Sequence, residues 1–192
     1  ASQRIIASFH ERYREINCLE LIDTDWTNKK QIRRYMLKGG PIRCFGMAGR
    51  FSPNAAHIVE EALAQESFPV PDAPVSCAAE LARKLGATEQ QVVMAAGLAG
   101  GIGLSGSGCG VLGAAVWLLA LKLQEGTEGK VDYTDPRIQE LIEQFLAYAD
   151  YRFQCDEIVG RKFEHATDHA AHLQEGGCRE IIEGIARHLD EA

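Results

Sequence analysis

The chain has 192 residues and a formal net charge of −7; 46% of its residues are hydrophobic, 24% charged and 7% aromatic. This composition is typical of a globular protein that buries a core without needing disulfides. The acidic balance argues against a nucleic-acid partner, because phosphate binding needs a cationic face. No signal peptide is visible, so we expect a cytoplasmic protein, with the periplasm as the alternative.

Three helices are predicted in residues 1–68. Apolar residues at helical spacing favour one amphipathic helix over residues 3–22. Thr27 is a candidate N-cap for a second helix, which ends near Leu37 before a Gly39-Gly40-Pro41 break. Ser52-Pro53 has the pattern of an N-cap followed by a first-turn proline, so it predicts the start of a third helix.

A proline-rich segment at 68–74, FPVPDAP, is the best candidate for a domain boundary. It separates an N-terminal helical segment, 1–68, from a second domain, 75–192. In that domain Thr88 and Gln91 form a capping-box pattern, and Asp135-Pro136 predicts another helix start. No segment alternates with period 2, so the predicted fold is an all-α multi-helix bundle.

The most unusual stretch is 97–113, GLAGGIGLSGSGCGVLG, in which eight of seventeen residues are glycine. No charged side chain occurs from Val92 to Leu121, which indicates a buried segment. A membrane span is not expected, because the central glycines and serines divide the run into two shorter apolar helices joined by a tight loop. We therefore predict a central, glycine-rich, apolar helix pair.

Six cysteines are present, and none of them forms a C-x-x-C pair, which excludes the zinc-ribbon, thioredoxin-like and c-type haem signatures. Cys77, Cys109 and Cys178 lie near predicted helix starts, where the helix dipole favours the thiolate that ligates metals and reacts in redox chemistry. The alternative for each is a small buried apolar residue.

Three histidines, His165, His169 and His172, share one face of a predicted helix. This spacing can chelate a metal ion. The accompanying Glu164 and Asp168 favour a solvated helical face instead.

A weak internal repeat involves the remaining cysteines. Cys18-Leu-Glu-Leu-Ile, a helix, Gly39-Gly40 and Cys44 parallel Cys155-Asp-Glu-Ile-Val, a helix, Gly176-Gly177 and Cys178. The N-terminal segment is thus a candidate extra copy of this C…C half-motif.

The segments VSCAAELARKLG, GGIGLSGSGCGVLGA, FQCDEIVG and GGCREII, between residues 75 and 192, resemble the family of redox-active proteins named for its C…GCAxxG…C…C pattern. The central motif departs from that pattern, because Gly110 replaces the usual alanine. The resemblance implies a helical, redox-active protein similar to the non-haem part of split-Soret cytochromes, where cysteines are thought to hold an iron–sulfur centre.

Our leading hypothesis from this resemblance is a [2Fe–2S] or [4Fe–4S] cluster bound by Cys77, Cys109, Cys155 and Cys178, for electron transfer. Gly108, Gly110 and Gly113 would approach the cluster closely. The alternatives are a metal-free thiol–disulfide oxidoreductase, a structural zinc site, and a helical interaction module with inert cysteines. A redox partner protein of unknown identity and a homodimer are the expected associations.

Overall fold

Helices make up the regular structure of the computed structural model, which describes residues 1–26, 28–64, 76–125 and 135–191. These residues form no strand, only an isolated bridge between Gly108 and Gln154, so the predicted all-α fold is confirmed. None of the described helices is long and apolar enough to cross a bilayer. The chain divides into two units, Ala1–Pro69 and Val70–Ala192. The predicted boundary segment, 68–74, lies outside the described residues.

The first unit has four helices: α1 (Ser2–Tyr13), α2 (Cys18–Ile22), α3 (Lys29–Leu37) and α4 (Gly40–Leu63). Helix α4 packs against α1 and α3. Its residues Phe51 and Ile58 are buried, and the Phe51 ring meets the Phe9 ring of α1 edge-on, with 4.9 Å between ring centroids. This unit therefore has only a small apolar core.

The single helix predicted over 3–22 is wrong. The chain leaves the helix at Arg14, which adopts a left-handed conformation with φ of 67°, and it resumes at Cys18 after the extended residue Asn17. The N-cap of α3 is Asn28, whose Oδ1 accepts hydrogen bonds from the Lys30 and Gln31 N–H groups. The predicted cap, Thr27, lies outside the described residues.

The helix start predicted at Ser52-Pro53 is also wrong, because both residues lie inside α4. Proline has no N–H group to donate to the carbonyl four residues earlier, which here belongs to Gly49. The Ser52 hydroxyl donates to that carbonyl instead, at 3.2 Å. A sequence pattern typical of a helix start therefore occurs within a continuous helix.

The second unit contains helices α5 (Cys77–Lys84), α6 (Glu89–Ala96), α7 (Gly110–Gln124), α8 (Pro136–Tyr148), α9 (Cys155–Val159), α10 (Ala166–Gln174) and α11 (Arg179–Glu191). The Thr88–Gln91 capping box and the Asp135 cap are confirmed. Apolar helix α7 packs against α5, α8 and α11, and α11 also packs against α5 and α8. Buried Leu81, Phe145 and Ile182 belong to one continuous core.

Helices α1–α4 and α8–α11 share a backbone plan, in which the bounds of α2 and α3 coincide with those of α9 and α10 at an offset of 137 residues, the separation between Cys18 and Cys155. Helices α2 and α9 have five residues each and end at a left-handed residue, Asp23 or Gly160. Helices α3 and α10 have nine residues each, at the same offset. The glycine that opens each diglycine has a positive φ, 71° at Gly39 and 90° at Gly176.

Aromatic contacts repeat at the same offset. A Cβ atom at Gly40 would overlap the Tyr35 ring, and one at Gly177 would overlap the His172 ring. The Tyr35 ring lies 5.3 Å from the Trp26 ring, and the His172 ring 5.4 Å from the Phe163 ring. Each diglycine thus allows a planar side chain to lie against the backbone.

Candidate functional site

All four cysteines of the second unit lie at helix starts. Cys77 and Cys155 are the first residues of α5 and α9, Cys109 is the N-cap of α7, and Cys178 immediately precedes α11. The sequence predicted this position for Cys77, Cys109 and Cys178 but not for Cys155. Free backbone N–H groups at such positions favour the thiolate over the thiol.

The glycine-rich stretch between α6 and α7 contains a left-handed turn. Every residue from Gly100 to Leu104 has a positive φ, between 57° and 78°. A left-handed conformation costs about 1–2 kcal/mol for each L-residue, so the three glycines lower the cost of this turn. Gly101 is also required sterically, because a Cβ there would lie 2.7 Å from the Ser107 backbone nitrogen. Backbone geometry thus accounts for much of the glycine content.

Backbone hydrogen bonds join this stretch to the segment that carries Cys155. The Cys109 N–H donates to the Phe153 carbonyl at 2.8 Å, and the Cys155 N–H donates to the Ser107 carbonyl at 2.8 Å. Gly108 lies opposite Gln154 in the resulting antiparallel bridge. The pairing holds Cys109 and Cys155 in neighbouring segments.

Cys77 is positioned by its neighbour Ser76. The Ser76 hydroxyl oxygen accepts a hydrogen bond from the Ala79 N–H and donates to the Ala96 carbonyl, both at 3.2 Å. These bonds fix the start of α5 against the end of α6, from which the left-handed turn continues. The backbone N–H of Gly100, in that turn, opposes the rise in the Cys77 pKa by favouring the thiolate.

Burial is the main influence on the four thiols, of which Cys77, Cys109 and Cys155 are less than 10% exposed. Burial, followed by the charge of Cys109, raises the pKa of Cys77; Cys178 and Cys155 raise it further. Burial, with Cys109 and Cys178 next in importance, raises the pKa of Cys155 to about 12. Burial and then Cys109 raise the pKa of Cys178 to about 11. The four thiols therefore lie within electrostatic range of one another.

Burial also raises the pKa of Cys109, and the N–H groups of Leu112 and Val111 oppose this rise. A buried thiolate is costly without a compensating positive charge. The site therefore holds four neutral thiols at pH 7 unless a cation binds and releases their protons.

Sulfur ligands of this kind suit soft metal centres and iron–sulfur clusters. The side-chain carbonyl of Gln154, next to Cys155 in sequence, is buried and has no hydrogen-bond partner, which is unusual for a completed core. Among the residues that the structure describes, however, no three His, Cys, Asp or Glu side chains form a group that could hold a metal ion. The donor chemistry fits a cluster, while ligation by the four cysteines remains a prediction.

The three glycines predicted to approach the cluster have different surroundings. A Cβ at Gly110 would overlap the Leu98 carbonyl oxygen, and one at Gly113 would contact the Leu98 side chain at 3.5 Å. Nothing lies within 4 Å of the corresponding position at Gly108. Gly110 thus allows α7 to pack closely against Leu98, whereas the Gly113 position has room for a Cβ and Gly108 faces open space. Their role in cofactor binding remains a prediction.

The histidines do not form one solvated face. His169 is only 1% exposed, with its ring edge-on to Phe163, whereas His165 is exposed at the start of α10. His172 lies beside the site, with its Nε2 atom 3.8 Å from the Cys178 sulfur. The sequence did not predict this contact, because it depends on how the chain folds back at the diglycine.

The first unit holds a separate thiol pair. Cys18 is exposed and Cys44 is half-buried, and the Cys44 sulfur lies 3.0 Å from the Tyr35 hydroxyl oxygen. This hydrogen bond is the main reason that the Tyr35 pKa is raised, and Cys18 adds to the rise. Pro41 occupies the position equivalent to Cys178, and Cys44 lies three residues further along the chain. The second cysteine of this copy is thus displaced by about one helical turn.

No curated protein and no solved structure matches the chain. The family model described as "Putative redox-active protein (C_GCAxxG_C_C)" matches residues 75–192, which contain all four cysteines of the second unit. This match covers more than half of the chain and supports a redox role. The protein therefore belongs to the C_GCAxxG_C_C family of redox-active proteins.

Proposed function

We propose that residues 75–192 bind an iron–sulfur cluster through Cys77, Cys109, Cys155 and Cys178 and that the protein transfers electrons. The strongest support is that the four cysteines all lie at helix starts and that Cys109 is close enough to raise the pKa of each of the other three. Such an arrangement is unfavourable for four thiolates alone and favourable once iron supplies positive charge.

The cysteines and nearby backbone N–H groups would have different roles at the cluster. The four cysteines would hold the cluster, which supplies one-electron transfer when bound. The Gly100 N–H would stabilise negative charge on the Cys77 sulfur, and the Val111 and Leu112 N–H groups would do the same at Cys109. Hydrogen bonds to cysteine sulfur and exclusion of water both tune the potential of such centres.

Thiol–disulfide exchange by a metal-free protein is the second candidate, and the observations favour it less. Exchange needs an accessible thiolate, which reactive cysteines obtain through a lowered pKa. Here burial raises the pKa of every thiol in the second unit. A single zinc ion would require all four sulfurs within about 2.3 Å of one point, whereas a cluster distributes its ligands over several irons.

Replacement of each cysteine by serine tests the proposal. We expect Cys77→Ser, Cys109→Ser, Cys155→Ser and Cys178→Ser each to lose most of the bound iron and acid-labile sulfide after anaerobic reconstitution. Cys18→Ser and Cys44→Ser are the matched controls, because these cysteines belong to the first unit, and both should keep the iron content of the parent protein. Unchanged iron in Cys109→Ser would refute the proposed ligand set.

A further inference from the structure

A cationic segment covers much of the first unit. Residues 26–59 contain seven Lys and Arg residues and no Asp or Glu. Three of these cations, Arg34, Lys38 and Arg43, line a cavity of about 520 Å³ formed by α2, α3, α4 and the turns between them. Asp23 is the one acidic side chain among the described residues around it. The cavity therefore carries an excess of positive charge.

The three cations make no salt bridge within the described residues of the first unit. All three side chains are exposed. Like charges around one cavity repel one another, so this arrangement contributes nothing favourable to folding by itself.

The second copy of the same backbone plan shows that the fold does not need these charges. At the offset of 137 residues, Ala171, Glu175 and Glu180 occupy the positions of Arg34, Lys38 and Arg43. Helix α10 keeps the nine-residue length of α3, and the diglycine break is kept, although the charge is absent or reversed. The cations of the first copy therefore need an explanation other than the fold.

The remaining walls of the cavity suit an organic ligand with a charged end. Leu21, Ile22 and Tyr35 line it, and so does Gly40 at the start of the 24-residue helix α4. Its volume lies within the range of small-molecule sites. Arginine forks match phosphate oxygens well, and a helix N-terminus adds favourable N–H groups.

We propose that this cavity binds a small organic molecule through its phosphate group, which Arg34, Lys38 and Arg43 contact. The site is independent of the cysteine centre of the second unit. It would give the protein a ligand-binding function in addition to its redox role.

Isothermal titration calorimetry of the full-length chain with inorganic pyrophosphate at low salt tests the proposal. We expect saturable binding that weakens about tenfold in Arg34→Gln and in Arg43→Gln, because each variant loses a charge-assisted hydrogen bond. Arg33→Gln is the matched control, since it removes the same charge from α3 at a residue that does not line the cavity. Its affinity should stay within about twofold of the parent protein.

The double variant Lys38→Glu/Arg43→Glu introduces the residues that the second copy has at these positions. We expect its helical circular dichroism to be unchanged and its pyrophosphate binding to be lost. Absence of pyrophosphate binding by the parent protein would overturn the proposal, as would equal weakening by Arg33→Gln and Arg34→Gln.

Co-sedimentation with vesicles separates the two sources of a phosphate group. Binding to phosphatidylglycerol vesicles without binding to pyrophosphate would assign the cations to a lipid headgroup and overturn the small-molecule proposal. Binding to pyrophosphate without retention on these vesicles would support it.

Discussion

Phe45 of α4 and Ile182 of α11 occupy equivalent positions in the two copies of the backbone plan, but Phe45 is 79% exposed and Ile182 is 1% exposed. Helix α11 packs against α5, α7 and α8, whereas α4 packs against α1 and α3. Both copies have a left-handed residue after the five-residue helix and at the first glycine of the diglycine, although Cys178 is left-handed where Pro41 lies in α4. Burial is instead decided by the helices that surround each copy.

The two copies also differ in chemistry. The second copy has Cys178 directly after its diglycine and His172 against it, where the first has Pro41 and Tyr35. None of the six lysines and arginines at positions 29–43 has a lysine or arginine as its equivalent in the second copy, and Arg179, the one such residue among 166–180, corresponds to Ile42. A few side chains thus give the two copies different chemistry.

The largest expected difference between the copies concerns burial. Ile182→Ala should lower the free energy of unfolding by about 2–5 kcal/mol, because it removes packed atoms from the core. The equivalent change Phe45→Ala should stay within about 0.5 kcal/mol, since the side chain is exposed. Urea unfolding followed by circular dichroism measures both. Similar losses in the two variants would mean that the first copy buries the same helix face.

The pH dependence of the free energy of unfolding should distinguish the buried thiol Cys155 from its exposed equivalent, Cys18. Burial raises the pKa of Cys155 from 9.0 to about 12, so the folded metal-free protein keeps this proton after the unfolded chain has lost it. Its contribution to the free energy of unfolding is complete below pH 9 and falls as the pH rises toward 12, by about 1.4 kcal/mol per pH unit.

Urea unfolding of the metal-free protein between pH 8 and 11 measures this slope. Cys155→Ser should flatten it, and Cys18→Ser, which changes the equivalent exposed residue, should leave it unaltered. A slope that Cys155→Ser does not change would contradict the burial of this thiol.

Substitutions at the two diglycines should have a smaller effect on stability than Ile182→Ala, and the effect should be similar in the two copies. Gly177→Ala and Gly40→Ala should each lower the free energy of unfolding by about 1–3 kcal/mol, because the His172 or Tyr35 ring must move away. Gly46→Ala is the control: no atom lies within 4 Å of the added Cβ, and the change should be neutral or stabilising by up to about 1 kcal/mol. A loss of unfolding free energy in only one of the two variants, Gly177→Ala or Gly40→Ala, would show that the two diglycines are not equivalent.

Local capping chemistry explains which parts of the fold the sequence predicted. Thr88 with Gln91, and Asp135 before Pro136, satisfy helix N–H groups with side chains a few residues away, so short-range patterns were sufficient. The Ser52-Pro53 pattern gave a wrong prediction because a local side-chain bond of this kind also occurs inside a helix. Here the Ser52 hydroxyl donates to the Gly49 carbonyl within α4. The break at Arg14 carries no glycine or proline that would signal it.

The candidate site was predictable in its residue types but not in its geometry. The cysteine order and the glycine-rich motif identified the four thiols. The left-handed turn at 100–104, which includes Ile102 and Leu104, could not be anticipated because L-residues rarely adopt this conformation. The pairing of Cys109 with the Phe153 carbonyl and the contact between His172 and Cys178 depend on tertiary packing, which no local pattern encodes.

The most direct test of the central claim is the anaerobic visible absorption spectrum of freshly purified protein, with iron and acid-labile sulfide assayed on the same sample. We predict a brown protein with thiolate-to-iron charge-transfer absorption and nearly equal amounts of iron and sulfide. A colourless protein that takes up no iron during anaerobic reconstitution would contradict the claim.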